Sequence, residues 1–199
     1  MPPDAPAVVV ATSIEAKAAR RHLPQSEIVE AGIALVRLPS PFGHSLAISC
    51  GLAGGLRDDL PTGTVVIPST VATAHGKPVA CDRAWTQRLK DAATRMGHTF
   101  VDLPLLTSER VISGGERSRW ASQGYAAVDM ETALLPVAFA AVRVILDTPR
   151  NELSPDWVQP ARALLRLRNW KQLPFLAREG PRCADLAARI VAAALVLRS

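Results

Sequence analysis

Short apolar runs alternate along this chain with stretches whose apolar residues recur at helical spacing. Ala7-Val8-Val9-Val10-Ala11 is a continuous, largely β-branched run, as expected of a buried strand in a parallel sheet. Thr12 follows, and residues 14–23 have helical composition, ending in Arg20, Arg21 and His22 before Pro24. Residues 27–29 and 33–38 read as two short strands around Gly32. Residues 46–49 form another strand that runs straight into Cys50-Gly51-Leu52-Ala53-Gly54-Gly55-Leu56. Residues 64–68 make a further strand, introduced by the turn Leu60-Pro61-Thr62-Gly63. Trp85, Leu89, Ala92, Ala93 and Met96 predict a helix over 84–96. Strands over 100–106 and 126–128, a short helix over 116–123 and a long apolar strand over 138–146, ending at Asp147, follow. Residues 158–198 have helical composition, broken at Pro174 and around Gly180-Pro181.

Strands that alternate with helices give an α/β protein. The expected architecture is a single-domain, three-layer αβα fold with a mixed central sheet. Residues 1–157 would form the core. Residues 158–199 would form a C-terminal helical segment packed on the same domain. The 199 residues suffice for a core of ordinary size. With 48% hydrophobic and 21% charged residues the chain is globular rather than disordered. No apolar run approaches the roughly 18–20 residues of a spanning helix. The N-terminus lacks the basic segment of a signal peptide. Cys50, Cys81 and Cys183 are far apart and form no Cys-x-x-Cys, which argues against a disulfide scaffold or a zinc ribbon. A cytoplasmic location is the expectation.

The net charge of +5 is unevenly placed. Residues 161–199 hold eight basic residues against two acids, a local +6, and the rest of the chain holds 15 against 16. The basicity therefore belongs to the C-terminal segment.

Common site chemistries are missing from the sequence. There is no phosphate-binding Gly-x-x-x-x-Gly-Lys motif, no Gly-x-Gly-x-x-Gly, no paired metal-ligand histidines among residues 22, 44, 75 and 98, and no Gly-x-Ser-x-Gly elbow. Neither a metal nor a cofactor is expected. Ligands in open α/β sheets sit beyond the carboxyl ends of strands, and three acids lie at such places: Glu15, Glu131 and Asp147. Each also has a plain structural explanation. Thr12-Ser13-Ile14-Glu15 matches a capping box. Asp129 and Glu131 suit a helix start. Asp147 before Thr148-Pro149 suits a turn.

Together the segments say more. Thr12-x-x-Glu15 after a strand, Gly51-x-Ala53-Gly54-Gly55-Leu56, Pro61-x-Gly63-x-x-Val66, Val128-Asp129-Met130-Glu131-Thr132 and Val142-Arg143-Val144-Ile145-x-Asp147 occur in this order. The set resembles the purine nucleoside phosphorylase superfamily. Within it, the likeness is to the methylthioadenosine/S-adenosylhomocysteine nucleosidase branch. Asp147-Thr148-Pro149-Arg150-x-Glu152-Leu153-x-Pro155 and Leu173-Pro174-Phe175-Leu176-Ala177-Arg178 look like the hopanoid-associated phosphorylases, thought to release adenine from adenosylhopane.

The resemblance implies an N-ribosyl hydrolase that releases adenine from an adenosine derivative, adenosylhopane among the candidates. Asp147 would protonate N7 of the base, which calls for a carboxyl pKa raised by burial. Glu131 would hold the ribose hydroxyls with Met130 packed on the sugar, and Glu15 would activate water. Gly51, Ala53 and Gly54 would let the backbone approach the sugar, and the backbone at Val111 and Ile112 would read the base edge. A phosphate-dependent phosphorylase is the alternative. However, the loop after the first strand offers a carboxylate, where phosphorylases place a Gly-rich, Arg-bearing loop. That favours water.

Two helices of the family are shortened or missing here. Only Pro39-Ser40-Pro41-Phe42-Gly43-His44-Ser45 separates the strands expected at 33–38 and 46–49, and residues 132–137 allow barely a turn and a half before Pro136. The link at 39–45 would be an antiparallel pairing or a short crossing over an uncovered sheet edge. Apolar sheet surface left bare would call for a partner, hence a homo-oligomer. A catalytically degenerate homologue with a binding role is the further alternative. The basic tail has no nucleic-acid recognition motif. With Leu164, Leu165, Leu167, Trp170 and Phe175 it becomes a candidate contact for an anionic lipid surface, peripheral to the inner membrane.

Overall fold

A computed structural model describes residues 5–158 and 165–197. Its opening is the expected strand, turn and helix. β1 (Ala7–Val10) leads into α1 (Ser13–His22), where the Thr12 side chain and Glu15 form a complete capping box and Arg20, Arg21 and His22 face the negative end of the helix dipole. β2 (Ile28–Glu30), β3 (Leu46–Gly55), β4 (Val65–Val66), β5 (Thr70–Thr73) and β6 (Val79–Ala80) follow. α2 (Arg83–Arg95) is capped by Asp82, which accepts from the Trp85 N–H at 2.9 Å, and Gly97 closes the turn beyond it in the left-handed region (φ 75). β7 (Phe100–Val101), β8 (Leu105–Thr107), α3 (Gly115–Ser122), β9 (Ala127–Asp129), β10 (Ala138–Asp147) and α4 (Leu173–Val196) complete the order.

One mixed ten-stranded sheet carries the fold, as the α/β reading requires. β3 organises it. Along one edge β3 pairs in parallel with β10 for nearly its whole length. Its other edge is shared: Ala47–Ser49 pair in parallel with β1, and Gly54-Gly55 pair antiparallel with β9. Between these two partners the backbone of β3 has no strand beside it, and the site described below opens there. Near the end of β10 a bulge shifts the register, so that Ile145 faces Ala53 but Asp147 faces Gly54. The extra residue, Leu146, turns Asp147 onto the face that Gly54 occupies.

Helices α1, α2 and α4 cover one face, packing Ala16, Ala19, Leu89, Ala92, Ala93, Cys183, Ala187 and Ile190 on Val8, Ile48, Val142 and Val144. The opposite core is filled differently. Val66 and Val101 from one end of the strand order meet Val71 and Leu105 from the other, around Val9, Ala47, Phe139 and Ile145. The sheet thus curls on itself. Where the two family helices are reduced, the cover comes from Leu35, Leu38 and Phe42 in the loop after β2 and from Ala133, Leu135 and Val137 before β10. Leu135 and Phe139 are buried, as are Val9 and Ala47 beneath them. The sheet surface expected to be bare is therefore covered within the chain, while Val36 and Leu134 of the covering loops stay exposed.

Several elements differ from the sequence pattern. Residues 33–38 do not form a strand: Ile33–Leu35 is a 3-10 turn, with Ala34 and Leu35 in the left-handed region. Its apolar residues alternate because they cover the sheet. The link to β3 is accordingly the short non-helical crossing, and residues Thr132–Leu134 keep only a single 3-10 turn of the second helix. The strand expected over 100–106 splits at Asp102-Leu103-Pro104. β7 pairs with β4, whereas β8 pairs with β5 and β9 at the other end of the order. β5 and β6, both short, were not apparent in the pattern. α4 is continuous through Gly180-Pro181, and Pro174 sits in its first turn, where a missing N–H costs nothing. Pro181 removes one intrahelical hydrogen bond. The stripe Gly180, Cys183, Ala184, Ala187, Ala188, Val191 and Ala194 is buried along the helix, and packing outweighs that loss. The boundary drawn at 157/158 falls in a 3-10 turn, Pro155–Val158. Part of the segment beyond it, including Leu164, lies outside the described residues. Among the described residues no helix is long and apolar enough to cross a membrane.

Ala18 of α1 meets Ala184 and Ala188 of α4, all buried, so the two helices approach on small residues. Ala188→Leu should lower stability by about 1–3 kcal/mol through overpacking. A urea denaturation midpoint reads this directly, and an unchanged midpoint would mean that the contact is loose.

Candidate active site

The site begins with a charge that the fold has to accommodate. Arg143 lies in the middle of β10, and its side chain is 1% exposed. A buried guanidinium is tolerable only when counter-charges and acceptors surround it. Nη2 donates to Ser49 Oγ at 2.6 Å and Thr132 Oγ1 at 3.0 Å, and pairs with Asp129 at 2.8 Å and Glu131 at 3.6 Å. Burial alone would depress its pKa. Asp129, Glu131 and Glu15 outweigh burial and hold it above the ordinary value.

Asp129 is the structural member of this group. It accepts from Thr107 Oγ1 at 2.6 Å and from both the N–H and the hydroxyl of Thr132, so the single turn at Thr132–Leu134 hangs from it. Glu131 is aimed differently. It accepts weakly from the Ala34 and Met130 N–H groups, each at 3.3 Å, and its remaining capacity is unfilled by protein among the described residues. Burial, opposed by Arg143 and reinforced by Asp129 and Glu15, pushes the Glu131 carboxyl up to about 7. Glu131 precedes the turn rather than sitting inside a helix, so shortening that helix leaves its carboxylate beside Arg143.

Glu15 completes the capping box and also reaches the cavity. Oε2 completes the capping box, accepting from Thr12 N at 2.8 Å and Thr12 Oγ1 at 2.9 Å, and also from Ala11 N at 3.1 Å. Oε1 reaches across to the Leu52 N–H at 2.7 Å. That donor belongs to the stretch of β3 that has no neighbouring strand. Gly51 makes this seat: a Cβ there would lie 2.1 Å from Glu15 Oε1 and 2.8 Å from Arg143 Nη1. No side chain fits between the two.

Asp147 stands at the other end. The bulge before it places Oδ1 against Gly54, and Oδ2 accepts from Arg117 and from the Leu153 N–H at 3.3 Å. Burial raises its pKa, with Arg117 working against that rise. Val111 and Ile112 lie in the loop before α3. Among the described residues their N–H groups donate to no protein acceptor, and the Ile112 carbonyl accepts from Arg117 Nε at 3.1 Å.

A cavity of about 230 Å³ joins these parts. Glu15, Ala53, Gly54, Val111, Ile112, Met130, Glu131 and Asp147 all line it. Gly51 does not. It lies behind Glu15, so its contribution is to seat that carboxylate rather than to meet a ligand. Two arginines were not singled out from the sequence: Arg117, which lines the cavity, and Arg143, which lies behind the acids. The signal for Arg143 was a lone cation in an otherwise apolar strand. Trp157 also lines the cavity, its Nε1 donating to Gln172 at 2.7 Å. The cavity is acidic: Glu15, Asp129, Glu131 and Asp147 line it, while Arg117 is paired with Asp147 and Arg110 is paired bidentately with Glu116. Among the described residues no group of His, Cys, Asp and Glu side chains is arranged to hold a metal ion.

Comparison with known proteins bears on the family and the fold. The family model of the phosphorylase superfamily matches residues 24–166. No curated protein sequence matches the chain. Among solved structures, 5′-methylthioadenosine/S-adenosylhomocysteine nucleosidase from Neisseria meningitidis, in complex with methylthio-immucillin-A, superposes with a TM-score of 0.73 at 18% identity, covering 96% of this chain and 98% of that one. The Helicobacter pylori MTAN mutant with 5′-methylthioadenosine in the active site gives 0.72 at 12% identity, covering 95% and 96%. Futalosine hydrolase from Helicobacter pylori gives 0.71 at 12% identity, over the same shares. These likenesses are of fold.

The raised Glu131 carboxyl has a consequence for stability. Between about pH 4.5, its ordinary value, and about pH 7, the folded chain keeps a proton that the unfolded chain has released. Folding stability from this group therefore declines as pH rises through that window. Relative to the parent, Glu131→Gln should gain stability from pH 4.5 to pH 7 in denaturant titrations. A pH-independent difference between the two would show that Glu131 ionises normally.

Proposed function

The chain belongs to the phosphorylase superfamily, and we propose that it is an N-ribosyl hydrolase that releases adenine from an adenosine derivative. One observation carries the proposal: Glu15, Glu131 and Asp147, which are 132 residues apart in sequence at the extremes, line one cavity whose inner guanidinium groups are already paired with carboxylates.

Cleavage of a purine N-glycosidic bond leaves electrons on the base and positive charge on the sugar, as in other glycoside hydrolyses. Asp147, with its pKa raised by burial, gives its proton to N7 while the C1′–N9 electron pair moves into the base. The surplus of carboxylates stabilises the cationic ribosyl centre, because charge is worth most in a buried, preorganised setting. Glu131 accepts from the ribose hydroxyls, with Met130 against the sugar. The N–H groups of Val111 and Ile112 meet the base edge. Glu15 takes a proton from water as the water oxygen bonds to C1′. Ala53 and Gly54 give the ligand access to the β3 backbone, and Gly54 also leaves room for Asp147 Oδ1, 3.2 Å from where a Cβ would sit.

Water is favoured over phosphate on electrostatic grounds. A phosphate dianion would enter beside Glu15, and the guanidinium groups in the described lining are already engaged, Arg110 bidentately with Glu116 and Arg117 with Glu152 and the Gly55 and Ile112 carbonyls. The proposed substrate range includes adenosylhopane, on the likeness of residues 147–155 and 173–178. Apolar Ile33, Leu52, Leu153 and Trp157 along the cavity suit a nucleoside with an apolar 5′ substituent. Exposed Leu165 and Trp170 beside Arg166, Arg168 and Lys171 suit contact with an anionic lipid surface, although Asp156 pairs with two of those arginines at 3.0 Å.

The test is free adenine measured after incubation with adenosylhopane, methylthioadenosine or adenosine, each with and without phosphate. Release without phosphate is expected from at least one of them. Asp147→Asn and Glu15→Gln should each cut kcat by about 100-fold or more. Strict phosphate dependence would replace the hydrolase by a phosphorylase, and no release from any nucleoside would remove the enzyme reading.

A further inference from the structure

We infer that Arg117 is the positioning residue of the base-end acid: it fixes which oxygen of Asp147 faces the base and pairs with the carboxylate left after the proton has gone. The inference rests on the hydrolase proposal for the same cavity.

Arg117 is in the first turn of α3 and its side chain is only 2% exposed. It is placed to connect four parts of the chain. Nη1 donates to the Gly55 carbonyl at the end of β3 at 2.8 Å, and Nε donates to the Ile112 carbonyl at 3.1 Å. Nη2 holds Asp147 Oδ2 at the end of β10, and Glu152 lies 3.3 Å from Nε. Glu152 in turn accepts the Gly114 N–H at 2.8 Å, which ties the loop after β10 to the start of α3. The guanidinium is planar, rigid and permanently charged, so one side chain satisfies all these acceptors in a single orientation.

The consequence for Asp147 is directional. Oδ2 is committed to Arg117 and the Leu153 N–H, whereas Oδ1 accepts no protein hydrogen bond among the described residues and lies beside Gly54. A transferable proton therefore resides on Oδ1. When the base takes that proton, the O–H electron pair stays on Asp147, and the new carboxylate is already paired with Arg117. Arg117 keeps its own protons throughout. Its partners also include the carbonyl of Ile112, so the same residue sets the distance between the acid and the backbone proposed to read the base.

The other charges near Asp147 are accounted for. On α3, Glu116 is turned to Arg110. In the loop after β10, Glu152 faces Arg117 and Arg150 lies 3.8 Å from Asp58. From β9, Asp129 pairs with Arg143, and the end of β3 contributes only Gly54 and Gly55. Among the described residues Arg117 is thus the cation that acts on Asp147, and it opposes the rise in pKa caused by burial.

The experiment compares pH–rate profiles of adenine release for the full chain, Arg117→Met and Arg117→Lys, with folding checked by thermal melting. Arg117→Met should lose at least tenfold in kcat with a smaller change in KM, and its alkaline limb should move to higher pH, because the uncompensated acid holds its proton longer. Arg117→Lys keeps the charge but not the planar fork. It should keep the parent's alkaline limb while kcat falls. A folded Arg117→Met with the parent's kcat and alkaline limb would overturn the inference. If Arg117→Met does not fold, parental kcat in Arg117→Lys would overturn it equally. A parent that releases no adenine would instead defeat the hydrolase proposal, so the two failures are distinguishable.

Discussion

The guanidinium of Arg143 is the constraint from which the site follows. A cation in the centre of a sheet costs several kcal/mol unless it is paired and hydrogen-bonded. Here the pairing draws Asp129 and Glu131 from the end of β9, Ser49 from β3 and Thr132 from the turn after β9 onto one point. Val-Asp-Met-Glu-Thr and Val-Arg-Val-Ile-x-Asp are therefore two halves of one buried network. The acids outnumber the cation they surround, and the surplus faces the cavity. A structural requirement of β10 thus produces the electrostatic character that the proposed chemistry uses.

The second constraint is the shared edge of β3. Because β1 leaves that edge after Ser49 and β9 joins it only at Gly54, backbone donors are left without a strand. Glu15 fills part of the gap by accepting the Leu52 N–H, and Gly51 leaves the space for it. The bulge in the neighbouring β10 then carries Asp147 to the far end of the same opening. Sheet irregularities on both sides of one strand define the cavity, with Arg117 closing the end where Asp147 lies. Loss of two helices leaves this arrangement intact, because the loops that replace them cover the sheet on the side away from α1, α2 and α4.

Much of this was legible in the chain itself, and the limits have physical causes. The capping box, the Gly-rich stretch and the acid at the end of a strand are local patterns, readable because a few adjacent residues determine them. Glu15 shows the limit of reading a capping box as only a cap, since one oxygen of the carboxylate completes the box while the other bonds Leu52 N–H beside the cavity. Arg143 and Arg117 were missed as site residues because their roles depend on partners up to 94 positions away, which no local pattern reveals. Residues 33–38 alternate like a strand, but their apolar side chains cover a sheet from outside it. Gly180-Pro181 looks like a break, but the buried stripe of α4 holds the helix together across it. The sheet surface expected to be bare is covered because the sheet curls, which depends on strands paired at opposite ends of the order.

The central claim is that a buried surplus of carboxylates makes this cavity prefer a positively charged sugar ring. Its most direct measurement is calorimetric binding of two adenine-bearing ligands of the same shape, one with a cationic ring nitrogen in place of the ribosyl charge and one neutral. The account predicts that the cationic ligand binds at least about tenfold more tightly, a difference of about 1.4 kcal/mol. Equal affinity, or tighter binding of the neutral ligand, would contradict it.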